Sequence, residues 1–346
     1  MLGGRLAAGG LILAAAIGVV WMMVVLKRVL PDDPGDDNGS LTAPSFAGEG
    51  PGTDSPARPL MIPDTLFGRS RTLRFAALSA SEADAFPGLR QAFGDTIVHT
   101  PGTFTVMAAN EPFRFFIMRP FAHKRGEMLG SYRLGWWPAE RWMMAENYLN
   151  PDGFVEVSAA SVGLMLSQHF RLGDFLTNDQ QVTWPRFVVL EERLIDKLEL
   201  VLRELRDRGI DDNRVVVLSG FRAPYYNDLR IDEGAARASR HQFGDAADLI
   251  IDADGDGTMD DLNGDGRRDL RDLGVIGAAV AAVERQYPEL VGGLGTYAAM
   301  GPSGPFAHID VRGTSARWER ARRTRPDSAR GARGATGGAR DPRYLR

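Results

Sequence analysis

The chain has 346 residues, and its 41 Lys and Arg against 45 Asp and Glu give a net charge of −4. Apolar residues make up 44% and charged residues 25%, a globular balance that excludes wholesale disorder, and no basic excess marks a nucleic-acid partner. There is no cysteine, so disulfides and thiolate metal sites are excluded, and any transition metal must be held by His, Asp and Glu.

Leu6 to Leu26 (LAAGGLILAAAIGVVWMMVVL) carries no charge. At a rise of about 1.5 Å per residue it spans a hydrocarbon core of about 30 Å, so residues 1–28 read as a signal anchor with a transmembrane helix over 6–26. The rival is a cleaved signal peptide, with a shorter apolar stretch and a small-residue cleavage site after it. Here the Ala-x-Ala pattern, Ala14 to Ala16, lies inside the apolar run. Arg5 on one side and Lys27 and Arg28 on the other nearly balance, so charge does not orient the anchor. The bulk of the chain is placed on the periplasmic or extracellular side of a cytoplasmic (inner) membrane on the functional grounds given below.

Residues 29–61 are rich in Pro, Gly, Ser and Asp, too polar to bury a core, and read as a disordered tether. Residues 62–160 read as a small β-rich domain, with short strands at 103–108, 113–120 and 130–137. Trp136, Trp137 and Trp142 are either a ligand platform or packing residues, and packing is the commoner use of aromatics. The segment 165–320 has a different texture. Leu194, Ile195, Leu198, Val201, Leu202 and Leu205 recur at helical spacing within 190–208, and Gly209 stops that helix. Residues 215–219 form an apolar run suited to a buried strand, 278–287 reads as a second helix, and 306–312 alternates as a strand. The expected fold class is α+β, with helices packed on a small antiparallel sheet. The basic tail 321–346 reads as disordered.

Three short segments carry chemistry: Ser219-Gly-Phe-Arg-Ala-Pro-Tyr-Tyr-Asn227, Ser239-Arg-His-Gln-Phe-Gly-Asp-Ala-Ala-Asp248 and Phe306-Ala-His-Ile-Asp-Val-Arg312. A catalytic zinc takes three protein ligands and keeps one position open. His241 and Asp248, with Gly244 between them, suit a tight turn running into a strand, and His308 would arrive from another strand. Spacing alone is weak evidence, since a His and an Asp seven apart recur by chance. In order and composition the segments resemble the zinc D-Ala-D-Ala carboxypeptidases and their superfamily, which includes lysostaphin-type endopeptidases, vancomycin-resistance dipeptidases and hedgehog domains. Ser167-Gln-His-Phe-Arg-Leu172 is similar to a motif of a murein-endopeptidase-like branch. The resemblance implies that His241, Asp248 and His308 hold zinc, and that Arg222 stands near the carboxylate or carbonyl of a peptidoglycan peptide. It also implies that Ser239 and Tyr297 line the substrate cleft, with Gly292-Gly-Leu-Gly-Thr-Tyr297 in the place of a glycine-rich family loop.

One departure matters. The family carries Glu or Asp three residues before the last ligand, as general acid and base; here that position is Pro305. Asp310, two residues after His308 and on the same strand face, is either the base or the carboxylate that orients His308. Other readings are a carboxylate supplied by the acidic insert or by the N-terminal domain, or a site that binds metal and peptide without efficient turnover.

The acidic insert 252–272 follows directly. Asp252, Asp254, Asp256 and Asp260 fit positions 1, 3, 5 and 9 of a calcium loop, with Gly257 at the turn; a second register comprises Asp261, Asn263, Asp265, Asp269 and Asp272. Carboxylates at alternate positions suit calcium, although Asn263 stands where the first register needs its twelfth ligand, so overlapping thrombospondin- or dockerin-like loops fit better than a standard EF-hand. The expected function is a membrane-anchored zinc peptidase cutting amide bonds in peptidoglycan stem peptides. The alternatives are a wall-peptide-binding module that has lost turnover, for which Pro305 speaks, and a calcium-dependent scaffold. Nothing in the sequence sets the oligomeric state.

Overall fold

The computed structural model describes residues 40–42 and 60–320, apart from 109, 143, 144 and 300. The apolar stretch 6–26, most of the expected tether and the tail 321–346 lie outside the described residues. Among the described residues no helix is long and apolar enough to cross a membrane.

The protein is α+β. A first five-stranded sheet runs β2-β1-β4-β5-β3, from β1 (Ser40–Thr42), β2 (Leu60–Met61), β3 (Phe75–Leu78), β4 (Gly102–Ala108) and β5 (Glu111–Ile117). β1 and β2 fall inside the stretch expected to be a structureless tether and correct that expectation at those points; Leu60 is buried, which gives the end of the tether an apolar anchor. A small core of Leu60, Phe86, Leu89, Phe113, Phe115 and their neighbours packs one side of this sheet. Next come β6 (Arg119–Pro120), the β7 (Met128–Leu129) and β8 (Tyr132–Arg133) hairpin, β9 (Gly153–Val157) and β10 (Arg186–Val188). β9 pairs with both β6 and β10, so the sheet crosses the expected boundary near 160. The large core likewise runs from Leu73 to Val311 and takes in Phe75, Trp137, Phe154, Leu198 and Ile250.

A second five-stranded sheet, in the order β11-β12-β14-β13-β15, carries the chemistry: β11 (Val215–Ser219), β12 (Ala246–Ile251), β13 (Gly293–Tyr297), β14 (Phe306–Asp310) and β15 (Ala316–Arg320). It is mixed, not antiparallel throughout as expected, because β15 runs parallel to β13. Ala247, Leu249, Ile251, Ala307, Ile309 and Leu294 alternate onto one face and are buried. The helices Glu192–Asp207 and Leu270–Gln286 pack against each other, and the second also packs on β13 and β14. The first helix buries all six apolar residues expected from its spacing, each contributing about 1.5–3 kcal/mol, and Gly209 at φ 84° ends it. The second starts eight residues before the expected Ala278. Asp269 caps it, accepting from the Arg271 amide, while the Asp272 carboxylate accepts from the Asp269 amide, a reciprocal capping box.

Candidate metal centre

Two local devices deliver the three ligands: a turn for His241, and one cross-strand row for Asp248 and His308. A 3-10 turn, Arg240–Phe243, carries His241. Gly244 then takes the left-handed conformation, φ 68° and ψ 10°, which favours glycine. A Cβ there would also collide with the Val189 carbonyl. The chain thereby reverses into β12, the tight turn into a strand that the spacing suggested. Trp137, fully buried, donates its indole N–H to the Gln242 carbonyl at 2.9 Å, so the region before 160 braces this turn. Of the three tryptophans considered as a platform, Trp137 is core and Trp142 is exposed.

The other two ligands share one cross-strand row. Ser219 pairs with Asp248, Asp248 with His308, His308 with Gly295, and Gly295 with Trp318. Directly paired residues project from the same sheet face, so one row across five strands presents the site on the face opposite the helices. A register shift between Val217 and Ser219 is the kind of bulge that re-aims a strand end beside a site.

His241 Nε2 lies 3.2 Å from Asp248 Oδ1 and 3.1 Å from His308 Nδ1, and His308 Nδ1 lies 2.9 Å from the same Asp248 oxygen. A tetrahedral ion with bonds of about 2.0–2.1 Å separates its ligands by about 3.3 Å, so this triangle fits one face of such a site. The protons point outward. His241 Nδ1 donates to the Gly220 carbonyl at 2.7 Å, and His308 Nε2 donates to Asp310 Oδ2 at 3.1 Å. These partners fix the tautomers, so both remaining lone pairs face the centre. With those protons outside, three acceptor atoms converge in a buried place, an arrangement that calls for a metal ion or a proton between them. His241, Asp248 and His308 can hold a metal ion.

The electrostatics agree. Burial pushes the His241 pKa down. Burial works against the charged form of Asp248 too, yet the His241 and His308 contacts outweigh it and hold the carboxyl well below the usual range. Burial likewise opposes a charged His308, but the hydrogen bonds to Asp248 and Asp310 prevail and its pKa is pushed up to about 9. Without a metal, His308 therefore carries the proton that occupies the ligand centre.

Asp310 is fully buried behind His308. Its oxygens accept from the Gly293 amide at 2.6 Å, the Arg312 amide at 3.1 Å and Arg312 Nε at 3.0 Å, as well as from His308. Both oxygens are engaged on the side of the His308 ring away from the His241–Asp248–His308 triangle. Lys197, also fully buried, donates to the Asp310 carbonyl at 2.8 Å and to Glu284 at 2.7 Å, tying the strand end to both helices. The carboxylates hydrogen-bonded to the ligand rings among the described residues are Asp248 and Asp310. Pro305 is buried just before β14.

Arg222 stands beside the site, with one guanidinium nitrogen 3.0 Å from the Ser219 hydroxyl and 3.5 Å from Asp248 Oδ2. Ser239 opens the His241 turn and is buried. Tyr297 lies one same-face row along from Gly295, half-buried and stacked on Phe306 with ring centroids 4.6 Å apart. His169, from the segment similar to the murein-endopeptidase motif, is not at the site; Glu199 holds its amide and its Nδ1. The sequence singles out neither Trp318 nor Lys197, and marks Gly295 only within the glycine-rich stretch 292–297. The signal for Trp318 and Gly295 is the strand register, which a linear reading does not contain.

The acidic insert forms two similar loops. Asp252 accepts from the Gly257 amide, Asp254 from Asp256 and Asp256 from Thr258; nine residues on, Asp261 accepts from Gly266, Asn263 from Asp265 and Asp265 from Arg267. Asp260 accepts from the Ala253 amide. Oxygens of Asp252, Asp254 and Asp260 lie within 4.8 Å of one another. Cationic side chains already stand among them: Arg268 pairs with Asp254 at 3.1 Å and Asp256 at 2.5 Å, and Arg214 lies 3.3 Å from Asp252. No family model, curated protein or solved structure matches the chain.

Proposed function

We propose that the protein is a zinc-dependent peptidase acting on amide bonds of peptidoglycan stem peptides, by trimming a terminal D-alanine or opening a cross-link. The observation that carries the reading is the convergence of the His241, His308 and Asp248 acceptor atoms at a spacing that suits zinc. A zinc ion bound there would supply Lewis acidity and activate water near neutral pH. The protein's own residues supply the rest. Gly220 and Asp310 hold the two imidazoles in the ligating tautomers. Arg222, next to Asp248, offers a planar donor pair to a substrate carboxylate. The apolar run Leu6–Leu26 supports a membrane tether with the site on the side where peptidoglycan lies.

A second reading is a wall-peptide-binding module with little turnover. Pro305 at the usual acid/base position and the engagement of Asp310 behind His308 favour it. Calcium in the loops 252–272 is a further proposal, supported by their alternate carboxylates; its role is to order the insert beside β12. The test is turnover of purified muropeptides by the zinc-loaded protein, with His241→Ala alongside. Zinc-dependent release of D-alanine or of split cross-links, lost in the variant, supports the peptidase. Tight peptide binding without turnover supports the module.

A further inference from the structure

The hydrogen bonds at the edge of the ligand row leave one donor unaccounted for. Trp318 lies over Gly295, where any Cβ would collide with its indole. Its ring packs on His308 with centroids 5.2 Å apart. From that position Trp318 Nε1 donates to the Tyr297 hydroxyl oxygen at 2.9 Å. The phenol is therefore drawn back from its own row toward the metal-ligand row. Its oxygen accepts from the indole, so its proton points elsewhere, and no residue among those described is shown accepting it. The ring cannot swing freely, because it lies flat on Phe306 at an interplanar angle of 3°. Arg320, its cross-strand partner, stands 5.9 Å from the ring. Burial and the nearby negative charge of Asp248 raise the Tyr297 pKa, so the phenol keeps its proton at neutral pH. A fixed, half-buried donor beside a cation site is what stabilises charge developing on a carbonyl oxygen, because it needs no reorganisation during the reaction.

We propose that Tyr297 is a catalytic residue that donates its phenolic hydrogen bond to the scissile carbonyl oxygen, with Trp318 as the positioning residue that aims it. This rests on the peptidase reading above. Tyr297 adds no proton transfer of its own: it stays a phenol throughout and holds the oxygen as charge gathers there.

The test compares wild type, Tyr297→Phe and Trp318→Phe as full chains in detergent, loaded with zinc. Tyr297→Phe keeps the ring on Phe306 and removes only the donor. Zinc affinity should be unchanged, KM should move little, and kcat should fall about 100-fold, the usual loss for one such donor. Trp318→Phe should cause a smaller fall in kcat. A Tyr297→Phe enzyme with wild-type kcat overturns the proposal. If wild type itself turns over no muropeptide, the peptidase reading has failed, and a phosphinate analogue of D-alanyl-D-alanine decides the inference separately. It mimics the charged oxygen, so Tyr297→Phe should bind it at least about tenfold more weakly, losing one charge-assisted hydrogen bond; equal affinity overturns the proposal.

Discussion

The molecule offers two places for a cation, and they are built in opposite ways. The His241–Asp248–His308 site has two of its ligands on neighbouring sheet strands and the third on a braced turn. Acceptors outside the triangle, the Gly220 carbonyl and the Asp310 carboxylate, fix the ring orientations, so the lone pairs left over face inward. In the insert 252–272 the carboxylates are engaged with their own loop: they accept from backbone amides, cap the helix Leu270–Gln286, or pair with Arg268. A cation at the first site replaces a proton. A cation at the second has to displace an arginine or share oxygens with amides. Ligand count alone does not separate these cases; the placement of the competing donors does.

A pair of variants separates the two sites most clearly. His308→Ala should abolish stoichiometric zinc binding and turnover, whereas Asp261→Ala should leave both intact, as read by metal content after dialysis. Lys197→Met tests whether the sheet site depends on its buried support. It leaves Glu284 and the Asp310 carbonyl without their ammonium, and removing one partner of such a buried pair costs about 3–5 kcal/mol, measurable by urea unfolding; an unchanged midpoint would show that Lys197 contributes nothing. Asp310→Asn keeps the shape but weakens the acceptor behind His308, and zinc affinity should fall about 10–100-fold, the usual effect of losing such a partner.

The pH dependence sharpens the same contrast. With the metal-free His308 pKa raised to about 9, zinc must expel a proton at neutral pH. Affinity should therefore rise about tenfold per pH unit up to that value and level off above it, with proton release visible by calorimetry in buffers of different ionisation enthalpy. The sign for stability follows from the same shift. The raised folded pKa stabilises the metal-free fold fully below the ordinary 6.5, and this contribution is lost as pH rises through about 9. The smallest effect belongs to the insert: calcium should raise the melting temperature by a few degrees and chelator should reverse it. A scan that does not move rules out calcium binding at the insert.

Much of the site was legible in the sequence, for identifiable reasons. His241, Gly244 and Asp248 form a local unit, turn then strand, whose geometry follows from their spacing. The helix at 192–207 was legible because its apolar face repeats at 3.6 residues. What escaped depends on register or on competing uses of one residue type. Trp318 reaches His308 only because β15 runs parallel to β13 and Gly295 leaves room. Strand periodicity gives the face of Asp310 but not the direction of its hydrogen bonds, so the sequence alone allows two roles for it. The start of the helix at Leu270 was missed because Asp269 and Asp272, which cap it, read equally well as cation ligands.

The most direct measurement is X-ray absorption on the full chain after titration with one equivalent of zinc. One zinc should bind per chain, with two imidazole nitrogens and a carboxylate oxygen at about 2.0–2.1 Å, and the imidazole signature should be lost in His308→Ala. A zinc surrounded by oxygen alone, or no bound zinc, would contradict the zinc site.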